Sequence, residues 1–351
     1  MGSIIQSVGT YSPERILTNQ DLERILALSG QETSDSWIIE RTGIHRRRVA
    51  SISETVETMA LSASLDAVKR LRQSSLPIQH IIVATNTHEN NFPNVAGYVA
   101  EGIVDSYPHL IERSASGTDL SAGCGGVNFA LMYADSLIKS RKFDSVLVLG
   151  TEHLSDVTDY RDRTTCVLFG DGASAYVLCR GETSGFLGDF PKGESSGRSL
   201  IYCENDQEKV TLQEALSALK DGRKPSISRG KVLRMNGKKV FRYVTECWRD
   251  LLEHFYEPRL NPDGIDFGDV GWIAPHLANL RCLENAGNDI PGFLDKCGLI
   301  GEDLLEFCNT STASQGRRVK QFFENAKQGE YLLMHGYGAG LQSCANLYQQ
   351  P

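Results

Sequence analysis

Three residues with complementary chemistry stand at strand or loop ends far apart in the chain: Cys124, His276 and Asn309. Cys124 lies in Asp119-Leu120-Ser121-Ala122-Gly123-Cys124-Gly125-Gly126-Val127-Asn128-Phe129, where a short β-like segment meets glycines and then an apolar helical pattern reaching about Ile138. A thiol at a helix N-terminus faces unpaired N–H groups and the positive end of the helix dipole, which favour the thiolate. The plainer alternative is a small buried hydrophobe, the usual state of a free cysteine. His276 follows a buried-strand run in Pro275-His276-Leu277-Ala278-Asn279, and Asn309 opens Cys308-Asn309-Thr310-Ser311-Thr312-Ala313-Ser314 ahead of a helix. Taken singly, His276 fits a structural role and Asn309 or Ser311 fits a helix cap. Taken together, a thiolate with a His and an Asn as donors suits thioester chemistry. The sulfur takes an acyl group, and the donors stabilise the enolate-like charge left when a carboxylate departs as carbon dioxide.

The elements that must position these groups alternate between strand and helix. Strand-like runs at Ile4–Val8, His80–Thr85 and Ser145–Gly150 are interleaved with helical patterns near 21–26, 56–71, 95–104 and 126–138. Thr18 or Asn19 caps the first helix. The run from Cys166 to Leu178 reads as two strands around a turn. Residues 184–232 are rich in Gly, Ser, Lys and Glu, with a helical pattern only at 211–219, and read as an insertion or covering loop. Beyond them come a long amphipathic helix near 239–255, a strand at 270–274, helices from about Leu277 and over 311–326, and a terminal pair of segments at 331–334 and 340–345. Strands alternating with helices predict a layered α/β fold, and the similar element order of the two halves predicts an old duplication. The implied organisation is 1–183 carrying the Cys, 184–232 as a variable segment, and 233–351 carrying the His and Asn.

Composition narrows the function. The chain has 351 residues, 40% hydrophobic and 23% charged, an ordinary globular content with length enough for a large core. Its net charge of −8 argues against a general nucleic-acid binder. Nine scattered cysteines without a Cys-x-x-Cys pair predict reduced thiols, neither a disulfide framework nor a metal site. No stretch reaches the ~18 apolar residues that cross a bilayer, and the first residues lack a basic, apolar leader, so the reading is a cytoplasmic protein. Gly336-x-Gly338-x-Gly340 is no dinucleotide loop, because only eleven residues follow it.

The residues in order resemble the β-ketoacyl-acyl carrier protein synthase III family of the thiolase-like superfamily. The matching stretches are Trp37–Ile44, Asn91–Asn94, Ser121–Phe129, Gly150–Glu152, Phe169–Ala175, Pro275–Arg281, Asn309–Ser314 and Gly336–Gly340. The resemblance implies a duplicated five-layered α-β-α-β-α fold and a ping-pong reaction. Cys124 would be acylated by acyl-CoA, and the acyl group would then condense with a decarboxylating malonyl-carrier whose enolate oxygen His276 and Asn309 hold. It implies an oxyanion hole from the N–H groups of Cys124 and Gly338, and CoA contacts from Trp37, Arg41 and Arg163. It also implies carrier docking at Arg242 and Arg281, a homodimer in which Phe92 shapes the partner's acyl pocket, and no cofactor beyond the CoA substrate. Trp37 offers a stacking face and arginine forks suit phosphates, although an ordinary half-buried aromatic also fits Trp37.

Departures from the family pattern are Leu277 for Gln, Cys308 for Gly, Tyr337 and Ala339 within a glycine run, Arg46-Arg47-Arg48, and the 184–232 stretch. They leave acyl specificity open, along with transfer to another acceptor, thioester hydrolysis, and a non-catalytic carrier-binding subunit. His88 and Glu89 fall where some related condensing enzymes use a Glu as base, but a surface loop fits them as well.

Overall fold

The computed structural model describes residues 2–72, 75–88, 90, 92–288, 290, 292–298 and 308–351; Glu89 and Asn91 lie outside them. Strand-forming runs of β-branched residues assemble into two main sheets. The first has the order Gly2–Tyr11, Asp171–Gly181, Ser145–His153, Ile78–Ala84, Ile111–Leu120. Its last three strands are parallel, as crossover helices require, and its first two run antiparallel. The second sheet has the order Trp272–Pro275, Tyr331–Gly338, Gln342–Gln349, Phe186–Gly193, with a parallel first pair.

Helices fill three layers around these sheets. The Gly126–Lys139 and Gly316–Asn325 helices lie between them. Their apolar faces, including Val127, Leu131, Ile138, Val319 and Phe322, share one core with Ile82 and Val148 of the first sheet and with Leu332 and Met334 of the second. Val56–Val68 and Val95–Ser106 cover the outer face of the first sheet. Gly237–Glu253 and Leu280–Gly287 cover the outer face of the second, around the fully buried Trp248. The alternation thus produces the expected layered α/β fold, with the five layers that the resemblance implied. Thr18 caps the first helix, Asn19–Ala27, through a capping box with Asp21.

Several local readings are corrected. Cys166–Leu178 is not a strand pair: Arg163–Cys166 is one helical turn, and a single strand runs from Asp171 to Gly181. The apolar run Cys166-Val167 packs inward beside the first helix instead of pairing. Arg47, from the basic run, is fully buried and ties this segment down, donating to the Val167 carbonyl at 2.6 Å and to Asn19 Oδ1 at 2.7 Å. Nor is 184–232 only a cover. Phe186–Gly193 is a strand of the second sheet, with Phe186, Gly188 and Phe190 buried at alternate positions. Its Gly, Asp, Pro and Lys residues hide that two-residue period from composition. The rest of the stretch forms a hairpin, Ile201–Lys209 with Ser228–Met235, around the Leu212–Asp221 helix. The helix expected from Leu277 begins at Leu280, where Asn279 caps it, and the one expected from Ser311 begins at Gly316 after a tight turn at Ser311–Ala313.

Candidate active site

The two halves meet at a cavity of about 750 Å³ lined by Cys124 from the first half and by His276, Asn309, Tyr337 and Gly338 from the second. Two backbone corners touch there. A methyl group on Gly338 would lie 2.5 Å from the Cys124 nitrogen, and one on Gly123, at φ 61°, would lie 2.5 Å from the Ala339 carbonyl oxygen. Only glycine permits that approach. It brings the N–H of Cys124 and the backbone of Gly338 side by side, the arrangement an oxyanion hole needs.

Cys124 precedes its helix by two residues, and the Gly125 cap supplies no side-chain bond. The expected stabilised thiolate is not the resting state. Burial pushes the thiol up to about 11; the Ser311 hydroxyl and the N–H groups of Ala339 and Cys124 pull the other way, while the nearby Glu152 adds to the rise. The helix terminus is outweighed by loss of water. Of the nine cysteines, seven are buried and Cys203 is exposed, while Cys124 is half-buried on the cavity wall.

Behind the sulfur, Glu152 organises the polar wall. Its Oε1 accepts from Asn86 Nδ2 at 2.6 Å, Ser311 Oγ at 3.0 Å and Thr312 Oγ1 at 3.1 Å. Its Oε2 accepts from Thr87 Oγ1 at 2.7 Å and the Asn86 N–H at 3.1 Å. Burial pushes the carboxyl's pKa up, and these donors oppose it. Asn86 in turn donates to the Gly123 carbonyl at 3.2 Å, so one buried acid ties the Cys124 corner to the Asn309–Ser314 segment. The sequence reading did not assign Glu152 a role. A Glu inside the apolar strand Ser145–His153 was the available signal.

Asn309 is fixed by both backbone and side chain. Its N–H donates to the Leu168 carbonyl at 3.1 Å, its carbonyl accepts from the Gly170 N–H at 3.0 Å, and its Oδ1 accepts from the Ser311 N–H at 2.8 Å. That last bond leaves Nδ2 as the donor available to the cavity. Cys308 adopts φ 57°, the left-handed region that Gly occupies without cost. His276 is 2% exposed, and burial holds its ring neutral, pushing its pKa down to about 3, with the Ser311 carbonyl opposing the fall. Its Nδ1 lies 2.8 Å from Ser314 Oγ. Tyr337 braces it, donating to the His276 carbonyl at 2.8 Å with the two rings edge to face.

At the mouth, Trp37, Arg41 and Arg163 come together, and the Arg163 guanidinium lies 4.5 Å above the Trp37 ring while donating to the Glu32 carbonyl. Ile201, Tyr202, Leu233 and Met235 of the hairpin, with Leu154 and Phe169, make the apolar side. Phe92 is 85% exposed and does not line this chain's own cavity. Arg242 is exposed on the Gly237–Glu253 helix, whereas Arg281 is engaged within the chain, donating to the Glu40 carbonyl at 2.7 Å and to Glu284 at 2.6 Å. Lys238, absent from the sequence reading, lines the mouth. Among the described residues no His, Cys, Asp or Glu group is clustered for a metal ion, and no helix is long and apolar enough to cross a membrane.

Residues 118–191, which include Cys124 and Glu152, match the family of 3-oxoacyl-[acyl-carrier-protein] synthase III. The β-ketoacyl-[acyl-carrier-protein] synthase III of Clostridium acetobutylicum is 31% identical over 339 residues, covering 96% of this chain and 95% of that protein. The chain belongs to the β-ketoacyl-[acyl-carrier-protein] synthase III family. A second such relative, synthase III 2 of Bacillus subtilis, is also 31% identical, over 340 residues and 95% of its length. The crystal structure of the Aquifex aeolicus synthase III superimposes with a TM-score of 0.77 at 32% identity, covering 99% of this chain and all of that one. The five layers are therefore the thiolase-like arrangement that the resemblance implied, and the family is one of acyltransferases.

Proposed function

We propose that the cavity condenses an acyl-CoA primer with a malonyl-acyl carrier protein, releasing carbon dioxide and starting an acyl chain for fatty acid synthesis. The observation that carries this reading is the convergence of Cys124, His276 and Asn309 on one cavity whose mouth is built from Trp37, Arg41 and Arg163. In the first half-reaction the Cys124 thiol gives its proton to solvent, and the thiolate attacks the acyl-CoA carbonyl. The tetrahedral oxyanion lies against the N–H groups of Cys124 and Gly338, and CoA leaves as a thiolate that takes up a proton. The indole of Trp37 stacks on the adenine while Arg41 and Arg163 face the phosphates. In the second half-reaction the malonyl carboxylate leaves as carbon dioxide, and its electron pair becomes an enolate. Asn309 Nδ2 and the neutral His276 ring each donate one hydrogen bond to the enolate oxygen. The carbanion attacks the Cys124 thioester, a carbon–carbon bond forms, and the sulfur leaves and is reprotonated.

The carrier's acidic surface would dock on the exposed Arg242, with Lys238 beside it. The Ile111–Leu120 strand is an open sheet edge with Phe92 exposed nearby, which supports a homodimer formed at that edge. Reduced, unpaired cysteines support a cytoplasmic location. The test is intact-mass measurement after incubation with a panel of acyl-CoAs, followed by addition of malonyl-carrier. An acyl adduct is expected on the wild type and on no Cys124→Ala protein, with carbon dioxide released on addition of the carrier. An adduct that persists in Cys124→Ala sinks the nucleophile assignment, and transfer without carbon dioxide assigns a different acceptor.

A further inference from the structure

We infer that Ser314 is the positioning residue that fixes the neutral His276 ring with its proton on Nε2, the nitrogen that serves the cavity. This rests on the proposed role of His276 as a donor to the enolate oxygen. A neutral imidazole has one N–H, and the ring can donate into the cavity only if Nδ1 carries none. Nδ1 then needs a donor. Ser314 Oγ lies 2.8 Å from it and is 6% exposed, so no bulk water competes.

The hydroxyl has one hydrogen and two acceptors within reach, His276 Nδ1 at 2.8 Å and the Ser311 carbonyl at 2.8 Å. The Ser311 carbonyl already accepts the Ser314 N–H at 3.1 Å, so turning the hydroxyl toward the ring orphans nothing. In that arrangement Ser314 Oγ also accepts the Leu277 N–H at 3.4 Å. Every buried polar atom of the cluster is then paired, and Nε2–H remains for substrate. The alternative, in which Nδ1–H donates and the hydroxyl turns to the Ser311 carbonyl, presents a bare lone pair to an enolate oxygen, and the two negative centres repel. On its other side the imidazole packs edge to face against the Tyr337 ring, whose hydroxyl holds the His276 carbonyl.

Removing the hydroxyl releases the assignment. In Ser314→Ala Nδ1 loses the donor 2.8 Å away, and the Ser311 carbonyl beside the ring is an acceptor that cannot replace it. Condensation should fall about 10²- to 10³-fold, the loss expected for one oxyanion donor. Formation of the acyl-Cys124 adduct should change by less than about threefold, since the first half-reaction does not use that donor. Ser314→Thr, which keeps the hydroxyl, should restore most of the condensation rate. Two-bond ¹⁵N–¹H correlation spectra of histidine-labelled wild-type protein, with His276 assigned by its loss in His276→Ala, should show the Nε2–H tautomer. An Nδ1–H ring in the wild type, or condensation by Ser314→Ala at the wild-type rate, overturns the inference. Condensation unaffected in His276→Ala would instead remove the donor role on which the inference rests. If Ser314→Ala does not fold, the wild-type spectrum alone decides.

Discussion

The inner end of the cavity and its mouth are built on opposite principles. At the inner end Cys124, His276 and Asn309 stand on buried strand ends and turns, and a web of short hydrogen bonds through Glu152, Asn86, Ser311 and Ser314 holds their backbone and side-chain atoms. At the mouth Trp37 is half-buried, Arg41 and Lys238 are exposed, and the Arg163–Trp37 contact is a stack on a movable side chain. The difference teaches where each part of the reaction is held. The inner groups are fixed before substrate arrives, so they act on the chemical steps. The outer groups lose freedom only when substrate arrives, so they act on affinity, and part of their contact energy is spent on that ordering.

The largest effect on which this contrast can break is the pH dependence of acylation. Burial keeps the Cys124 thiol protonated up to about 11 and keeps His276 neutral down to about 3. If the sulfur attacks as a preformed thiolate, its population rises tenfold per pH unit below that value. Single-turnover adduct formation should then increase about a thousandfold from pH 6 to pH 9, with a slope of one and no shoulder from His276. A flat profile over this range would mean that the neutral His276 ring takes the thiol proton during attack. That outcome would require a bare Nε2 and would count against Ser314 holding the proton there.

The sequence revealed which residues converge on the cavity better than it revealed what supports them. Cys124, His276 and Asn309 announce themselves because each sits at the end of a regular element, and regular periodicity is what a sequence displays. The alternation of strands and helices followed from the same periodicity, whereas the number of layers came from the family resemblance. Asn86 lay outside every matching stretch, and Glu152 and Ser314 lay inside such stretches without a role, because their importance comes from hydrogen bonds across 37 to 160 positions of chain, and no local pattern records those. Phe186–Gly193 was silent for another reason. Its glycine, proline and charged residues are those of a loop, and the tertiary pairing with Gln342–Gln349 overrides them. The helix-end argument for Cys124 picked out a residue that lines the cavity but misjudged its resting charge, since desolvation outweighs the dipole.

An intermediate effect is expected at the mouth. Trp37→Ala should raise KM for acyl-CoA about tenfold while leaving kcat within about twofold, because one base–aromatic stack contributes about 1–3 kcal/mol and takes no part in the chemical steps. Steady-state kinetics with acyl-CoA varied at saturating malonyl-carrier measures this. A fall in kcat with KM unchanged would show that the mouth positions the reacting carbonyl, and the contrast between the two ends would blur.

The smallest effect separates two arginines that the sequence treats alike. Arg242 is exposed, whereas Arg281 donates to the Glu40 carbonyl and to Glu284, and so joins the Leu280–Gly287 helix to the Asp35–Thr42 helix that carries Trp37 and Arg41. Reversing the charge at Arg242 should therefore touch only the carrier. Arg242→Glu is expected to raise KM for malonyl-carrier about three- to fivefold at low salt and to leave KM for acyl-CoA unchanged. The difference should shrink as added salt screens the exposed charge. Arg281→Ala removes the two bonds that tether the CoA-side helix, to the Glu40 and Ile39 carbonyls, so its effect should appear in KM for acyl-CoA as well and persist in salt, because hydrogen bonds to a carbonyl are screened little. Equal, salt-sensitive effects of the two changes on the carrier alone would mean that Arg281 leaves its internal partners when the carrier docks, and the mouth would then be a surface remade by its substrate.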